Sequence, residues 1–119
     1  MQIPPPFFSI EAMEYIVRLN IKHLLVDVPS LDRTYDEGML SAHRIFWSVE
    51  PKTHNIDASN CSSKTITEMI FIPDEIPDGL YILDLQTTSF VADASPSKPV
   101  IYKVILWFMF SNPVGVVYL

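Results

Sequence analysis

The sequence predicts an α/β fold (mixed α+β), because a helical pattern leads directly into a short apolar run. Ile10, Met13, Ile16 and Val17 fall on one face of a helix, and residues 23–28 follow as the apolar run. A helix followed at once by such a run is typical of an α/β unit with a buried, parallel strand. The length of 119 residues suits one domain with a modest core.

Composition limits the classes of protein to which the chain can belong. Hydrophobic residues make up 49% and charged residues 18%, which indicates a globular and not a disordered chain. The net charge is -6, and the eight Lys and Arg residues do not cluster, so no nucleic-acid partner is expected. Cys61 is the single cysteine, which excludes an internal disulfide framework. A chain without disulfides fits a reducing compartment, and we expect a cytoplasmic location.

The first helix has a recognisable start and end. Ser9 can cap it, and Glu11 lies in the first turn, where the helix dipole favours a negative charge. Asn20 is a suitable stop.

Polar residues follow the predicted strand at 23–28. Side chains just past a buried strand often line a site, so Asp27 and Ser30 are candidate site residues. The alternative is that Ser30 and Asp32 simply form a turn.

The remaining elements are predicted from alternation and from turn residues. Ser41 is expected to cap a short helix that ends at Trp47, and the polar stretch 48–64 is expected to be an exposed loop. Further strands are predicted at 65–72, at 80–85 and, after a proline-stiffened loop at 94–99, at 100–106.

The C-terminal segment 104–119 is nearly uncharged and forms an atypical hydrophobic tail. It is shorter than the roughly 20 residues that span a bilayer, and Ser111-Asn112-Pro113 interrupts it. A buried terminal strand, or a tail foreign to the fold, is therefore preferred over a membrane anchor.

The strand predicted at 65–72 carries a carboxylate among isoleucines. Alternation places Glu68 on the same face as its apolar neighbours, and a carboxylate there needs a cation or a metal. His43, upstream on a short apolar stretch, is a plausible second ligand, since zinc and manganese sites mix imidazole and carboxylate groups. The alternative is a buried polar pair in which Arg44 compensates Glu68. The isoleucines are Ile66, Ile70 and Ile72.

Five segments, in order and rough spacing, resemble the C-terminal half of the cyclase family that includes bacterial kynurenine formamidases and isatin hydrolases. The resemblance covers roughly residues 9–103, so we assign 1–103 to a partial domain of that family and 104–119 to the tail. The segments are Lys22–Asp32, Ala42-His43-Arg44, Ile66-Thr67-Glu68, Asp78-Gly79-Leu80-Tyr81 and Asp93–Val100.

The resemblance implies a swivelling β/β/α fold and a metal-dependent hydrolase of the arylformamidase kind. Such enzymes hydrolyse N-formylkynurenine to kynurenine and formate in tryptophan catabolism, through a zinc- or manganese-bound water that attacks the amide carbonyl. By that analogy His43 and Glu68 would be metal ligands and catalytic residues, with a role in proton transfer also open. Asp27, Ser30 and Ser95 would lie around this pair, close to the substrate.

One family feature has no counterpart in this chain. It is the early His-x-Gly-Thr-His-x-Asp-x-Pro-x-His segment, which supplies most of the metal ligands. The resemblance therefore implies a C-terminal portion with half a metal site and weak or no catalysis alone, which acts on a small molecule as part of a homo-oligomer. The alternative is a non-catalytic fragment or interaction module that pairs with a full-length subunit.

Overall fold

The computed structural model of the protein describes residues 3–53, 62–89, 91–104 and, as backbone, 116–118. It is a mixed helix and sheet structure of the α+β class, with two helices and two small sheets among the described residues. The chain divides into two compact units, Met1–Phe71 and Ile72–Leu119. The assignment of residues 1–103 to one partial family domain stays a prediction.

The first helix, α1 (Ile10–Arg18), begins as predicted. Ser9 has an extended backbone, and its hydroxyl oxygen accepts from the Ala12 N–H at 3.2 Å. A hydrogen bond from the backbone, and then one from the Ser9 hydroxyl, lower the pKa of the exposed Glu11. The helix ends at Arg18 with Leu19 as its C-cap, and the predicted stop residue Asn20 follows with a φ of +55°, in the left-handed region.

Ser9→Ala is expected to lower the free energy of unfolding by about 1 kcal/mol at neutral pH, because the cap is lost. The folded pKa of Glu11 is depressed, so its bond to Ser9 stabilises the helix above the ordinary value of 4.5 and is lost as the pH falls below it. Urea unfolding at several pH values should therefore show that the difference in the free energy of unfolding between wild type and Ser9→Ala becomes smaller in acid. Ser9→Thr, which keeps a hydroxyl, is the control, and an equally large loss in it would contradict the capping role.

The first sheet consists of two parallel strands, so the predicted parallel pairing is confirmed, but the first strand is exposed or half-buried and not buried as predicted. β1 (His23–Leu25) pairs with β2 (Thr65–Thr67), with His23 opposite Thr65. The His23 Nδ1 atom lies 2.9 Å from the Thr65 hydroxyl oxygen, so this exposed histidine makes a cross-strand contact. Both strands are shorter than the patterns predicted.

The strand predicted at 65–72 is wrong beyond Thr67. Met69 takes a φ of +57°, in the left-handed region, and this turn ends the regular ladder. Glu68 is therefore not part of a row of isoleucines on one strand face. It lies directly after the strand, at the point where the backbone turns.

The core of the first unit lies around α2 (Ser41–Trp47), which ends at Trp47 as predicted but begins one residue earlier. Phe46 and Met13 are fully buried, and α1 packs against α2 through them. The other buried residues of this cluster are Val26, Leu31 and Ala42. Ser41 is not the N-cap, because that position belongs to Leu40, which has φ +48° and no side-chain oxygen.

The second unit contains an antiparallel sheet in the order β4-β3-β5. The central strand is β3 (Leu80–Thr87), flanked by β4 (Ser97–Lys103) and β5 (Val116–Tyr118). The alternation predicted for 80–85 is confirmed, since Tyr81 is buried while Ile82 and Asp84 are exposed. β4 begins three residues earlier than predicted and contains Pro99, which an edge strand tolerates.

Most of the predicted hydrophobic tail lies outside the described residues, which include only Val104 and the backbone of 116–118. That backbone forms β5, which pairs antiparallel with β3. Among the described residues, the structure contains no helix with the length and apolar character needed to cross a membrane.

Candidate functional site

Three side chains of the first unit form a continuous line of polar contacts. The His43 Nδ1 atom lies 2.7 Å from Asp32 Oδ2, and the His43 Nε2 atom lies 3.3 Å from Glu68 Oε1. The exposed fractions of the side chains are 7% for Asp32, 14% for His43 and 25% for Glu68. The imidazole is thus held between two carboxylates, and the accessible end of the line is Glu68.

Each of the three groups is placed by a different segment. His43 lies in the first turn of α2, and Glu68 follows β2. The loop at 31–32 meets both: the Leu31 N–H donates to Glu68 Oε1 at 2.8 Å, and Asp32 faces the histidine. Two neighbouring residues therefore hold two groups that are far apart in sequence.

Asp32 also occupies the start of α2. Its Oδ1 atom accepts from the Ala42 N–H at 2.6 Å, and Oδ2 lies 3.4 Å from the His43 backbone nitrogen. The first turn of a helix leaves N–H groups without partners inside the helix, and a carboxylate is well suited to accept from them. Asp32 thus supplies the acceptor that Leu40 lacks.

The space between His43 Nε2 and Glu68 Oε1 needs positive charge. If the imidazole is neutral and its proton is on Nδ1, the Nε2 lone pair points at a carboxylate oxygen. Two electron-rich atoms at 3.3 Å repel each other unless a proton or a metal ion lies between them. This gap is therefore the place where the site can hold a cation.

The distance between the two atoms fits a shared metal ion. Two ligands of a tetrahedral zinc ion, with bonds of about 2.0–2.1 Å, lie roughly 3.3 Å apart. Asp32 cannot join them on the same ion, because its carboxylate meets Nδ1, on the other side of the ring. In the part of the chain that the structure describes, no set of three or more His, Cys, Asp or Glu side chains is arranged to bind one ion.

Trp47 packs against His43 one turn further along α2. The centroids of the two rings lie 5.4 Å apart and the rings are tilted by 52°. The indole N–H of Trp47 donates to the Lys64 carbonyl oxygen at 3.1 Å, which fixes the indole against the end of the loop. This packing, together with Asp32, restricts the rotation of the imidazole.

The structure brings together His43 and Glu68, and the other predicted residues have different surroundings within their own units. Asp27 is exposed, and no hydrogen bond joins its side chain to the three-residue line. The Ser30 hydroxyl accepts from the Asp32 N–H at 3.3 Å, which is the turn that the sequence allowed. Ser95 belongs to the second unit, where its hydroxyl donates to the Thr88 carbonyl oxygen.

Arg44 does not compensate Glu68. Its guanidinium donates to the carbonyl oxygens of Met39, Glu50 and Thr53, so it ties the two ends of α2 to the adjoining backbone. The alternative in which Arg44 neutralises the carboxylate is therefore wrong.

Asp32 is the residue that sequence reasoning missed. The sequence predicts only a turn at Asp32, whereas the residue is buried and contacts both the backbone of α2 and the ring of His43. The sequence carries one signal: the first turn of α2 contains no acidic residue. A helix with such a start needs an acceptor from elsewhere in the chain.

No protein-family model, curated protein or solved structure matches this chain.

Proposed function

We propose that this chain supplies two ligands, His43 and Glu68, to the divalent metal centre of a hydrolase that acts on a small amide. The enzyme class is that of the cyclase family, and the substrate class is an aryl formamide such as N-formylkynurenine. The ion is zinc or manganese. The fold that goes with this proposal is the swivelling β/β/α type, and the location is the cytoplasm.

The observation that supports the proposal is the 3.3 Å distance between His43 Nε2 and Glu68 Oε1, with Asp32 on the opposite nitrogen of the ring. A histidine that binds a metal commonly donates its other N–H to a carboxylate, which orients the ring and raises its basicity. Glu68 is oriented in turn by the Leu31 N–H. The donor pair thus has the hydrogen-bonded support that metal ligands require.

When bound, a zinc or manganese ion would polarise the substrate carbonyl and make a water acidic near neutral pH. The chain's own residues would hold that ion and orient its surroundings. Glu68, the more exposed ligand, would be the group nearest the substrate, and the Trp47 ring would exclude water from one side of His43. His43 and Glu68 would also be the groups within reach of a transferred proton.

Two protein ligands bind an ion weakly, so the proposal includes donors from outside residues 3–53 and 62–71. Catalytic zinc sites use three protein ligands and one open position. A second polypeptide segment, contributed within a homo-oligomer or by a larger subunit, would supply the rest. A chain that stays monomeric is expected to bind metal weakly and to hydrolyse nothing.

Calorimetric titration of the purified chain with zinc and with manganese tests the proposal, alongside an assay of N-formylkynurenine hydrolysis. Stoichiometric binding with turnover would support a site that is completed between chains. Binding without turnover would support the ligand pair and argue against an active hydrolase in this chain alone. If neither ion binds at concentrations up to about 1 mM, which corresponds to a free energy near 4 kcal/mol, the metal assignment is wrong.

A second candidate function is an interaction module that pairs with a full-length subunit. The observation in its favour is the pair β1 and β2, a parallel sheet of only two strands among the described residues. Parallel sheets are ordinarily larger and covered on both faces, so a further strand from a partner would suit it. Light scattering of the chain alone and mixed with a full-length cyclase-family hydrolase would show a complex if this function holds. A chain that remains separate from that partner would contradict it.

A further inference from the structure

We infer that Asp32 is the positioning residue of this site: one buried carboxylate both starts α2 and determines which nitrogen of His43 faces Glu68. The inference deepens the proposed function, since it assigns the nitrogen that is available to a metal. It depends on the contacts around Asp32 and not on the presence of an ion. Asp32 is buried, and both oxygens of its carboxylate are used.

The first task of Asp32 follows from the backbone at the start of α2. Leu40 stands at the N-cap in the left-handed region, with no side-chain oxygen, and so cannot accept from the first turn. The Ala42 N–H donates instead to Asp32 Oδ1 at 2.6 Å. Because His43 is the next residue, the bond that starts the helix also fixes the backbone from which the imidazole projects.

The second task follows from a comparison of the two contacts of the ring. Nδ1 lies 2.7 Å from Asp32, whereas Nε2 lies 3.3 Å from Glu68. The shorter contact is within the range of a charge-assisted hydrogen bond, and Asp32 is the less exposed of the two carboxylates. A neutral His43 should therefore carry its proton on Nδ1, which leaves the Nε2 lone pair directed towards Glu68.

The variant Asp32→Asn distinguishes a role of Asp32 in placing the ring proton from a role in packing alone. An amide oxygen in place of Oδ1 can still accept from the Ala42 N–H, so the helix start is retained. The amide NH₂ then faces His43 Nδ1, which must become the acceptor. The ring proton moves to Nε2, where it donates to Glu68 and blocks that nitrogen as a ligand.

The first test is ¹⁵N nuclear magnetic resonance of the histidine rings in wild type and in Asp32→Asn, recorded near pH 9. We expect the proton of the His43 ring on Nδ1 in wild type and on Nε2 in the variant. If both proteins carry the proton on the same nitrogen, the inference is wrong.

Asp36→Asn is the matched control. The Asp36 carboxylate lies in the same loop and accepts from the Gly38 and Leu40 N–H groups at 2.9 and 2.6 Å. It therefore supports the approach to α2 without a contact to the His43 ring. The control should leave the ring proton on Nδ1, and a shift equal to that of Asp32→Asn would contradict a role specific to Asp32.

A second background keeps the test decisive if Asp32→Asn folds poorly. Leu40→Gly provides a residue that adopts the left-handed conformation without strain, at the position immediately before α2. The ring spectrum of the single variant Leu40→Gly is then compared with that of the double variant Leu40→Gly, Asp32→Asn. A ring proton that moves from Nδ1 to Nε2 supports the inference, and a proton on the same nitrogen in both contradicts it.

Zinc titration separates the inference from the proposed function. Loss of a carboxylate behind a ligating histidine typically weakens metal binding 10- to 100-fold. If wild type binds zinc and Asp32→Asn binds it equally well, the positioning role is wrong. If the proton moves to Nε2 in Asp32→Asn but wild type binds no zinc, the positioning role holds and the metal-centre proposal fails.

Discussion

Glu68→Gln should abolish zinc binding to the chain while leaving the fold in place. The amide oxygen of glutamine can still accept from the Leu31 N–H, which donates to Glu68 at 2.8 Å in wild type. The negative charge beside His43 Nε2 is lost, and an amide is a poor ligand for zinc. We expect the affinity for zinc to fall by more than about 100-fold. Loss of a group that only supports a ligand lowers the affinity by at most about that factor.

Calorimetry measures the affinity, and thermal unfolding monitors the fold of the same samples. Glu14→Gln is the matched control, because Glu14 is exposed on α1 and the chemical change is identical. His43→Ala should also abolish binding, but it leaves the buried Asp32 without its ring partner and so destabilises the fold as well. Zinc binding that is unchanged in Glu68→Gln and in His43→Ala would refute the ligand assignment. In a protein with all its ligands, either variant should abolish hydrolysis.

Phe46→Ala should lower the free energy of unfolding of the first unit by about 3–5 kcal/mol, the usual cost of removing a buried aromatic side chain. Phe46 is fully buried, and it lies in α2 three residues after His43. Domains of this size have a total stability of only about 5–15 kcal/mol, so this loss is a large fraction of the free energy of unfolding. Urea unfolding monitored by circular dichroism measures the change.

Two further variants show whether the loss comes from the core. Phe46→Leu keeps most of the apolar volume and should cost much less than the alanine variant. Tyr15→Ala removes an aromatic ring that is 57% exposed on α1 and should have a small effect. A loss below about 1 kcal/mol in Phe46→Ala would mean that the core does not depend on this side chain.

The helices of the first unit could be predicted from the sequence because their signals are local. The apolar face of α1 and the Ser9 cap lie within nine residues of each other, and the structure confirms both. The end of α2 at Trp47 is also as predicted. The cap of α2 was predicted wrongly, because the acceptor is Asp32, nine residues before the helix. Short-range sequence patterns do not reveal such a contact.

The strands were predicted less well for a physical reason. Alternation at 65–72 is real in the sequence, but Met69 adopts a left-handed backbone that only the surrounding structure can impose on a non-glycine residue. Hydrogen bonds from Met69 and Ile70 to the carbonyl oxygens of Val28 and Val26 hold this turn in place. Tertiary contacts thus override a clear local pattern.

The candidate site could be predicted in part. His43 and Glu68 were chosen by residue type and by resemblance, and the structure brings them within 3.3 Å. Their roles stay predictions. Asp32 could not be ranked above other acidic residues, since its importance depends on burial and on the direction of one carboxylate.

The loop that carries Leu31 and Asp32 has a consequence for how the site tolerates change. Leu31 holds Glu68 through its backbone, and Asp32 holds His43 through its side chain, so one peptide unit joins the two supports. Consecutive Cα atoms lie about 3.8 Å apart whatever the rest of the protein does. The covalent geometry of this peptide unit therefore limits how far apart the supports of His43 and Glu68 can move. Substitutions in the surrounding core leave this covalent spacing unchanged. Inserting a single residue between Leu31 and Asp32 would change it.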